Sequence, residues 1–356
     1  ILLISAGAVL TLANALVLDA SGLNDVLRGN LDYRPLTFIA DGKEPSTAQF
    51  WGEQSQTRIT WMPFVYWVVE PFDGEFIHVD AQGKRATWNN DAPDESPRIF
   101  FFGGSTMWGE GARDAYTIPS QTARLLNDAQ IPAYVENYGQ TGYVSTQDLL
   151  MFQFQLMRGN TPGLAIFYQG FNDTLTAYLQ RYAGVSLQED MRAADSEAGR
   201  ILRSGRPLLR LPGFNLDAHD FSIAAVYPSS AASIADRWLQ NTRMIAALAA
   251  AYDVRVLFVW QPALHHKQTL TTFEGEILDR MENDLPGFVD LYTQVEEELR
   301  ARITNEENSS FIFLSDLFKD DTRSIFYDLV HITEEGNAVI AQALHDRIMD
   351  LLSSDD

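Results

Sequence analysis

Beyond Pro97 the apolar positions fall into short dense runs separated by longer amphipathic stretches. The runs are Arg98 to Phe102, Ala133 to Asn137, Leu164 to Tyr168, Arg255 to Trp260 and Phe311 to Leu314. Each is too short for a helix and almost continuously apolar, which is the pattern of a strand covered on both faces. Between them, Ile118 to Ala129, Thr146 to Met157 and Ala232 to Ala251 read as helices. A last helix over Thr333 to Leu352 places Ala338, Ile340, Ala343 and Leu344 at helical spacing. Strands alternating with helices predict an α/β architecture, a parallel sheet with helices on both faces.

Two regions break the alternation. Residues 174–231 are too long for a simple connection, and such insertions are usually lids, binding loops or helical caps. Within them Arg200, Arg203, Arg206 and Arg210 are interleaved with Leu202, Leu208, Leu209 and Leu211. That pattern suits a solvated helical face, a membrane surface or an anionic ligand. Residues 21–96 show no long helical period and are rich in aromatic side chains, among them Trp51, Trp61, Phe64, Tyr66, Trp67, Phe72 and Phe76. Phe76 to Asp80 and Arg85 to Trp88, joined through Gly83, read as a β-hairpin. The aromatics fit the core of a small β-rich extension, a substrate groove or a membrane surface.

Ile1 to Ala20 carries a single charge, Asp19. About 20 apolar residues span a bilayer core, so this segment is expected to be a transmembrane anchor. A cleavable signal, with Ala13-Asn14-Ala15 as its small-x-small site, and a buried helix are the other readings. The expected organisation is therefore an anchor over 1–20, an extension over 21–96 and an α/β domain over 97–356. An anchored domain is expected in a bacterial cell envelope, on the periplasmic or extracellular side.

Composition narrows the chemistry. The formal net charge of −22 repels phosphate backbones and argues against nucleic acid as a partner. The absence of cysteine excludes a disulfide framework, thiolate metal ligands and a cysteine nucleophile. There is no Walker phosphate loop, and Gly103-Gly104 runs into Ser105-Thr106-Met107 rather than completing a dinucleotide fingerprint. His265 and His266 are adjacent and have no carboxylate at ligand spacing, so no metal site is expected. No cofactor is expected either.

Four blocks, each beside a strand end or the last helix, carry the remaining chemistry. Phe101-Phe102-Gly103-Gly104-Ser105-Thr106 puts a serine just past the first strand, where open α/β sheets place reactive groups. Asn137-Tyr138-Gly139-Gln140-Thr141-Gly142 follows the second strand with glycines that free backbone N–H groups. Gly170-Phe171-Asn172-Asp173 follows the third, and its Asn amide is a donor suited to an oxyanion. Asp328-Leu329-Val330-His331 precedes the last helix and offers a general base with a carboxylate to orient it.

In this order the blocks resemble the signature of the SGNH/GDSL hydrolases, from about Pro97 to the C-terminus. The resemblance implies a flavodoxin-like three-layer α/β/α fold, with Ser105 as nucleophile, His331 as general base and Asp328 orienting it. The implied oxyanion donors are the Ser105 N–H, the Gly142 N–H and the Asn172 side chain, with Gly139 in reserve for Gly142. One departure stands out: the Asp that usually precedes the nucleophile is Gly104 here. The implied activity is hydrolysis or transfer of an acyl ester through an acyl-enzyme, on an O-acetylated glycan, a lipid or a small ester. The rival expectation is an accessory subunit of a membrane assembly, with membrane-protein partners and a hydrolase fold used as scaffold.

Overall fold

The computed structural model describes residues 35–88, 96–187, 228–303 and 310–353. The expected transmembrane segment Ile1 to Ala20, and Arg200, Arg203, Arg206 and Arg210, lie outside the described residues. No helix among the described residues is long and apolar enough to cross a membrane.

The central sheet is parallel and has five strands: β5 (Arg98–Gly103), β6 (Tyr134–Asn137), β7 (Leu164–Gln169), β8 (Arg255–Trp260) and β9 (Phe311–Phe313). Their spatial order is β6-β5-β7-β8-β9. Counted along the chain, this is the 2-1-3-4-5 order of flavodoxin-like sheets. Register runs Ile99 to Leu164 across the β5–β7 pair and Leu164 to Arg255 across the β7–β8 pair.

Alternate residues of each strand face opposite ways, and both faces are apolar, so two cores form. On one side Phe100, Phe102, Phe167 and Phe258 meet α4 (Ser145–Met157), α6 (Ala231–Ala251) and α8 (Phe288–Arg302), through Phe152, Trp238 and Tyr292. On the other, Ile99, Phe101, Ile166 and Val259 meet α3 (Ile118–Asp128) and α9 (Glu334–Ser353), through Leu126, Ile340 and Leu344. The result is three layers. Between Trp260 and Phe311 the chain forms α7 (Thr272–Asp284) and α8, neither of which was anticipated. The buried series Phe288, Tyr292, Val295 and Leu299 on α8 has ordinary helical spacing.

The expected insertion begins later than position 174, because α5 (Phe171–Gln180) continues through it. The described ends of the insertion come together again at an antiparallel bridge between Tyr182 and Pro228.

The N-terminal extension contains α1 (Thr47–Gln54) and four short strands, β1 (Ile59–Met62), β2 (Tyr66–Val69), β3 (Phe72–Asp73) and β4 (His78–Val79). The hairpin expected over Phe76 to Trp88 is shorter than its apolar pattern suggests. It reduces to β4 and a bridge from Val79 to Arg85, closed by the Asp80 N–H donating to the Lys84 carbonyl at 2.9 Å. Arg85 also bridges Asn137, which fastens the extension to the edge strand β6. The extension's aromatics divide: Phe50 and Trp51 are buried together with Trp108 and Tyr327, whereas Trp61 and Phe64 are exposed.

Candidate active site

In a 2-1-3-4-5 sheet the crevice opens where neighbouring connections leave in opposite directions, here between the carboxyl ends of β5 and β7. Both strands end in glycine-rich sharp turns. A Cβ on Gly103 would lie 2.4 Å from the Tyr168 carbonyl oxygen, so only glycine lets β5 leave the sheet this close to β7. The chain then makes one helical turn, α2 (Ser105–Trp108), with Ser105 as its first residue. The first N–H groups of such a turn have no partner within it.

Ser105 Oγ is 2.6 Å from His331 Nε2, and His331 Nδ1 is 2.7 Å from Asp328 Oδ2. The second Asp328 oxygen accepts the backbone N–H groups of Val330 and His331, at 3.0 and 2.8 Å. These bonds fix the carboxylate and close the loop on itself. The Tyr327 ring stacks on the imidazole with centroids 5.8 Å apart. Asp328 is buried and His331 partly so. A hydroxyl, an imidazole and a carboxylate in such a chain can move the serine proton onto the imidazole and hold the resulting charge.

The other two blocks meet beside the serine. Asn172 opens α5 and donates its amide to the Tyr143 carbonyl at 2.9 Å, which leaves a second amide hydrogen for another acceptor. A Cβ at position 104 would lie 2.3 Å from Asn172 Nδ2. The lack of a side chain at Gly104 therefore gives the Asn172 amide its room next to the serine. The two glycines of the second block are not equivalent. Gly139 donates its N–H to Asn137 Oδ1 at 2.9 Å and packs against α2, where a Cβ would lie 2.4 Å from the Trp108 nitrogen. Gly142 takes the left-handed conformation, with φ at +74°.

The fold and the order of its loops can now be set beside known proteins. No family model matches the sequence, and no curated protein does. Solved structures do match. Est24, a carbohydrate acetylesterase from Sinorhizobium meliloti, aligns over 72% of this chain and 100% of its own, at 14% identity and a TM-score of 0.44. A member of the lipolytic protein G-D-S-L family from Veillonella parvula DSM 2008 aligns over 70% and 96%, at 15% identity and 0.40. Axe2, an acetylxylan esterase from Geobacillus stearothermophilus, aligns over 71% and 94%, at 14% identity and 0.39. This chain resembles the SGNH/GDSL esterases in structure. The chemistry available at the site is read from the side chains described above.

Several residues around this site lie outside the four blocks. Arg85, fully buried, donates to the carbonyls of Gly109 and Ala112 and to Asp114, at 2.7, 2.6 and 2.8 Å, and so holds the segment that follows α2. Arg113 forms a two-pronged pair with Glu334, both bonds 2.8 Å, and a third bond to Asp41 at 2.9 Å. That ties the extension to the start of α9, three residues past His331. Gln140 accepts from the Val69 N–H and donates to the Gly83 carbonyl, and Trp67 Nε1 donates to the Thr141 carbonyl at 2.8 Å. Residues of the extension thereby hold the loop carrying Gly142. Glu110, like Tyr327, lies against the imidazole, its carboxylate 3.7 Å from His331 Nε2. The signal for it was the Gly109-Glu110-Gly111 run five residues after Ser105.

Below the site two carboxyls are fully enclosed. Burial pushes the Asp173 carboxyl up to about 6, against hydrogen bonds from Ser145 that lower it. Burial raises Asp148 well above the ordinary carboxylate range, and its Oδ2 accepts from Gln169 at 2.6 Å. His265 and His266 follow β8 in a short 3-10 turn. His266 pairs with Glu296 at 3.4 Å, while desolvation and then the charge of His266 push His265 down to about 3. Trp260, at the end of β8, is buried against Trp238 and Tyr292 and belongs to the core.

Proposed function

We propose that this protein is a serine ester hydrolase in which Ser105 is the nucleophile. The observation that carries the reading is the unbroken chain from Ser105 Oγ through both nitrogens of His331 to Asp328. Ser105 Oγ attacks the ester carbonyl while His331 Nε2 takes its proton. Asp328 keeps the Nδ1 hydrogen in place and stabilises the imidazolium. Negative charge grows on the carbonyl oxygen, and three donors receive it: the Ser105 N–H, the Gly142 N–H and the free amide hydrogen of Asn172. Gly142 is preferred to Gly139 because the Gly139 N–H is already bound to Asn137. His331 then returns its proton to the departing alcohol oxygen, leaving an acyl-enzyme that water cleaves by the same route.

Delivery of the acyl group to an acceptor hydroxyl instead of water requires no different residues, so transfer is a variant of the same proposal. An O-acetylated glycan is the substrate class we favour, because solved structures of similar fold include a carbohydrate acetylesterase and an acetylxylan esterase. An envelope location is proposed on the length and apolarity of Ile1 to Ala20 alone.

The test is labelling by a fluorophosphonate, with the modified peptide mapped by mass spectrometry. Ser105 is expected to carry the label, and Ser105→Ala to lose both label and ester turnover. A folded protein that is not labelled and turns over no ester rejects the reading.

A further inference from the structure

Glu110 is a second carboxylate beside His331, and it approaches the nitrogen opposite the one that Asp328 holds. Its backbone is fixed on both sides. The Glu110 N–H donates to the Ser105 carbonyl at 3.0 Å, and the Glu110 carbonyl accepts from the Tyr327 hydroxyl at 2.7 Å. Gly109 and Gly111, both left-handed at φ +94° and +80°, bracket it, and a Cβ on Gly111 would run into the Tyr327 ring. The turn thus delivers one side chain to the reactive nitrogen. That side chain is 9% exposed, and among the described residues its carboxylate accepts no hydrogen bond. A largely desolvated carboxylate can only accept hydrogen bonds, so it lacks a donor.

We propose that Glu110 is a specificity-determining residue, whose carboxylate accepts a hydrogen bond from a hydroxyl on the alcohol portion of the ester, on the carbon next to the one bearing the ester oxygen. This rests on the ester-hydrolase reading. In that reaction the departing oxygen takes its proton from His331 Nε2, so it must come within about 2.6–3.2 Å of that atom. Glu110 Oε2 is 3.7 Å from the same nitrogen. The departing oxygen and the carboxylate therefore share one neighbour, and a hydroxyl on the adjacent carbon bridges them with an ordinary bond of about 2.7 Å. Alcohols with such a hydroxyl satisfy Glu110. Alcohols with a methyl there leave the carboxylate buried and unpaired, and those with an anionic group are repelled.

The experiment compares 2-hydroxyethyl acetate with propyl acetate, which differ by a hydroxyl in place of a methyl at that position. The ratio of kcat/KM for the two esters is measured with the full chain, with Glu110→Leu and with Glu110→Gln, each checked for fluorophosphonate labelling at Ser105. The unmodified protein is expected to favour the hydroxy ester by roughly 10-fold or more, as a hydrogen bond to a charged group would give. Glu110→Leu should bring the ratio to about 1, with Glu110→Gln in between. The ratio is read within each protein, so a general loss of activity cancels. If Glu110 acts only on the charge of His331, both rates fall together and the ratio stays at its original value, which overturns the proposal. A ratio near 1 in the unmodified protein also overturns it, whether or not the variants fold. Labelled Ser105 with a ratio indifferent to Glu110 removes this inference alone, whereas no labelling and no turnover of either ester removes the hydrolase reading beneath it.

Discussion

The turn that carries Ser105 and the loop that carries His331 end 2.6 Å apart, yet they are supported in different ways. The nucleophile side is fastened by the extension: Arg85 grips the carbonyls after α2, and Val69 and Gly83 hold Gln140. The base side is fastened by its own C-terminal region. Asp328 binds the two N–H groups that follow it, Leu264 donates to the Leu329 carbonyl, and Glu274 on α7 accepts the N–H groups of Ile325 and Phe326. Lys267 completes that support by pairing with Glu274, with both side chains fully buried. Residues before Pro97 thus grip the nucleophile side directly, whereas they reach the base side only at its margins, through Asp41 and Arg113 to Glu334 and through Trp51 against Tyr327.

Substitutions can separate the two halves. Removing the charge of Arg85 by Arg85→Met takes a buried guanidinium away from Asp114 and from the Gly109 and Ala112 carbonyls, at a cost of about 3–5 kcal/mol. Urea unfolding should show that loss, and Ser105 labelling should slow in the fraction that stays folded. An unchanged labelling rate would mean that the extension does not position the nucleophile. Glu274→Gln tests the base side. It strands the Lys267 ammonium and weakens the bonds to Ile325 and Phe326, with a destabilisation of about 3 kcal/mol expected in the same unfolding assay. Asn172→Ala probes the point between the halves. Ester turnover should fall by about 100-fold or more, equivalent to about 3 kcal/mol in the transition state, with the unfolding midpoint nearly retained. Full turnover would remove Asn172 from the oxyanion site.

The smallest effect lies below the site. The Asp173 carboxyl is raised to about 6 in the fold, so the folded protein holds its proton more tightly than the unfolded chain. Its contribution to stability is complete below about pH 4 and is lost as pH rises through about 6. Asp173→Asn removes that loss, so its thermal midpoint relative to the parent should improve between pH 4 and pH 7. A difference that stays flat over this range would mean that Asp173 keeps an ordinary pKa.

Legibility in the sequence followed the range of the interactions. The five strands of the sheet were readable within a residue or two, because both faces of a buried strand must be apolar over a short continuous stretch. Helix α8 was equally readable from Phe288, Tyr292, Val295 and Leu299, but it sits in a stretch with no chemistry to draw attention to it. The hairpin at Phe76 to Trp88 was legible only in outline, because its pairing is shared with β3 and β6. Glu110 was hidden in another way: a lone acidic residue between glycines reads as a solvated turn, and only the fold brings His331, 221 positions later, against it.

By itself the sequence determined the layered α/β architecture, the positions of the four loop blocks and the residue types able to meet there. These follow from hydrophobic periodicity, from the backbone freedom of glycine and from the chemistry of serine, histidine, aspartate and asparagine, all local properties of the chain. Only the tertiary structure decided which glycine keeps its N–H free, why position 104 is left without a side chain, and which arginines and carboxylates hold the loops. Those outcomes depend on contacts between segments distant in the chain, where a single buried charge or amide is fixed by partners that no local pattern announces.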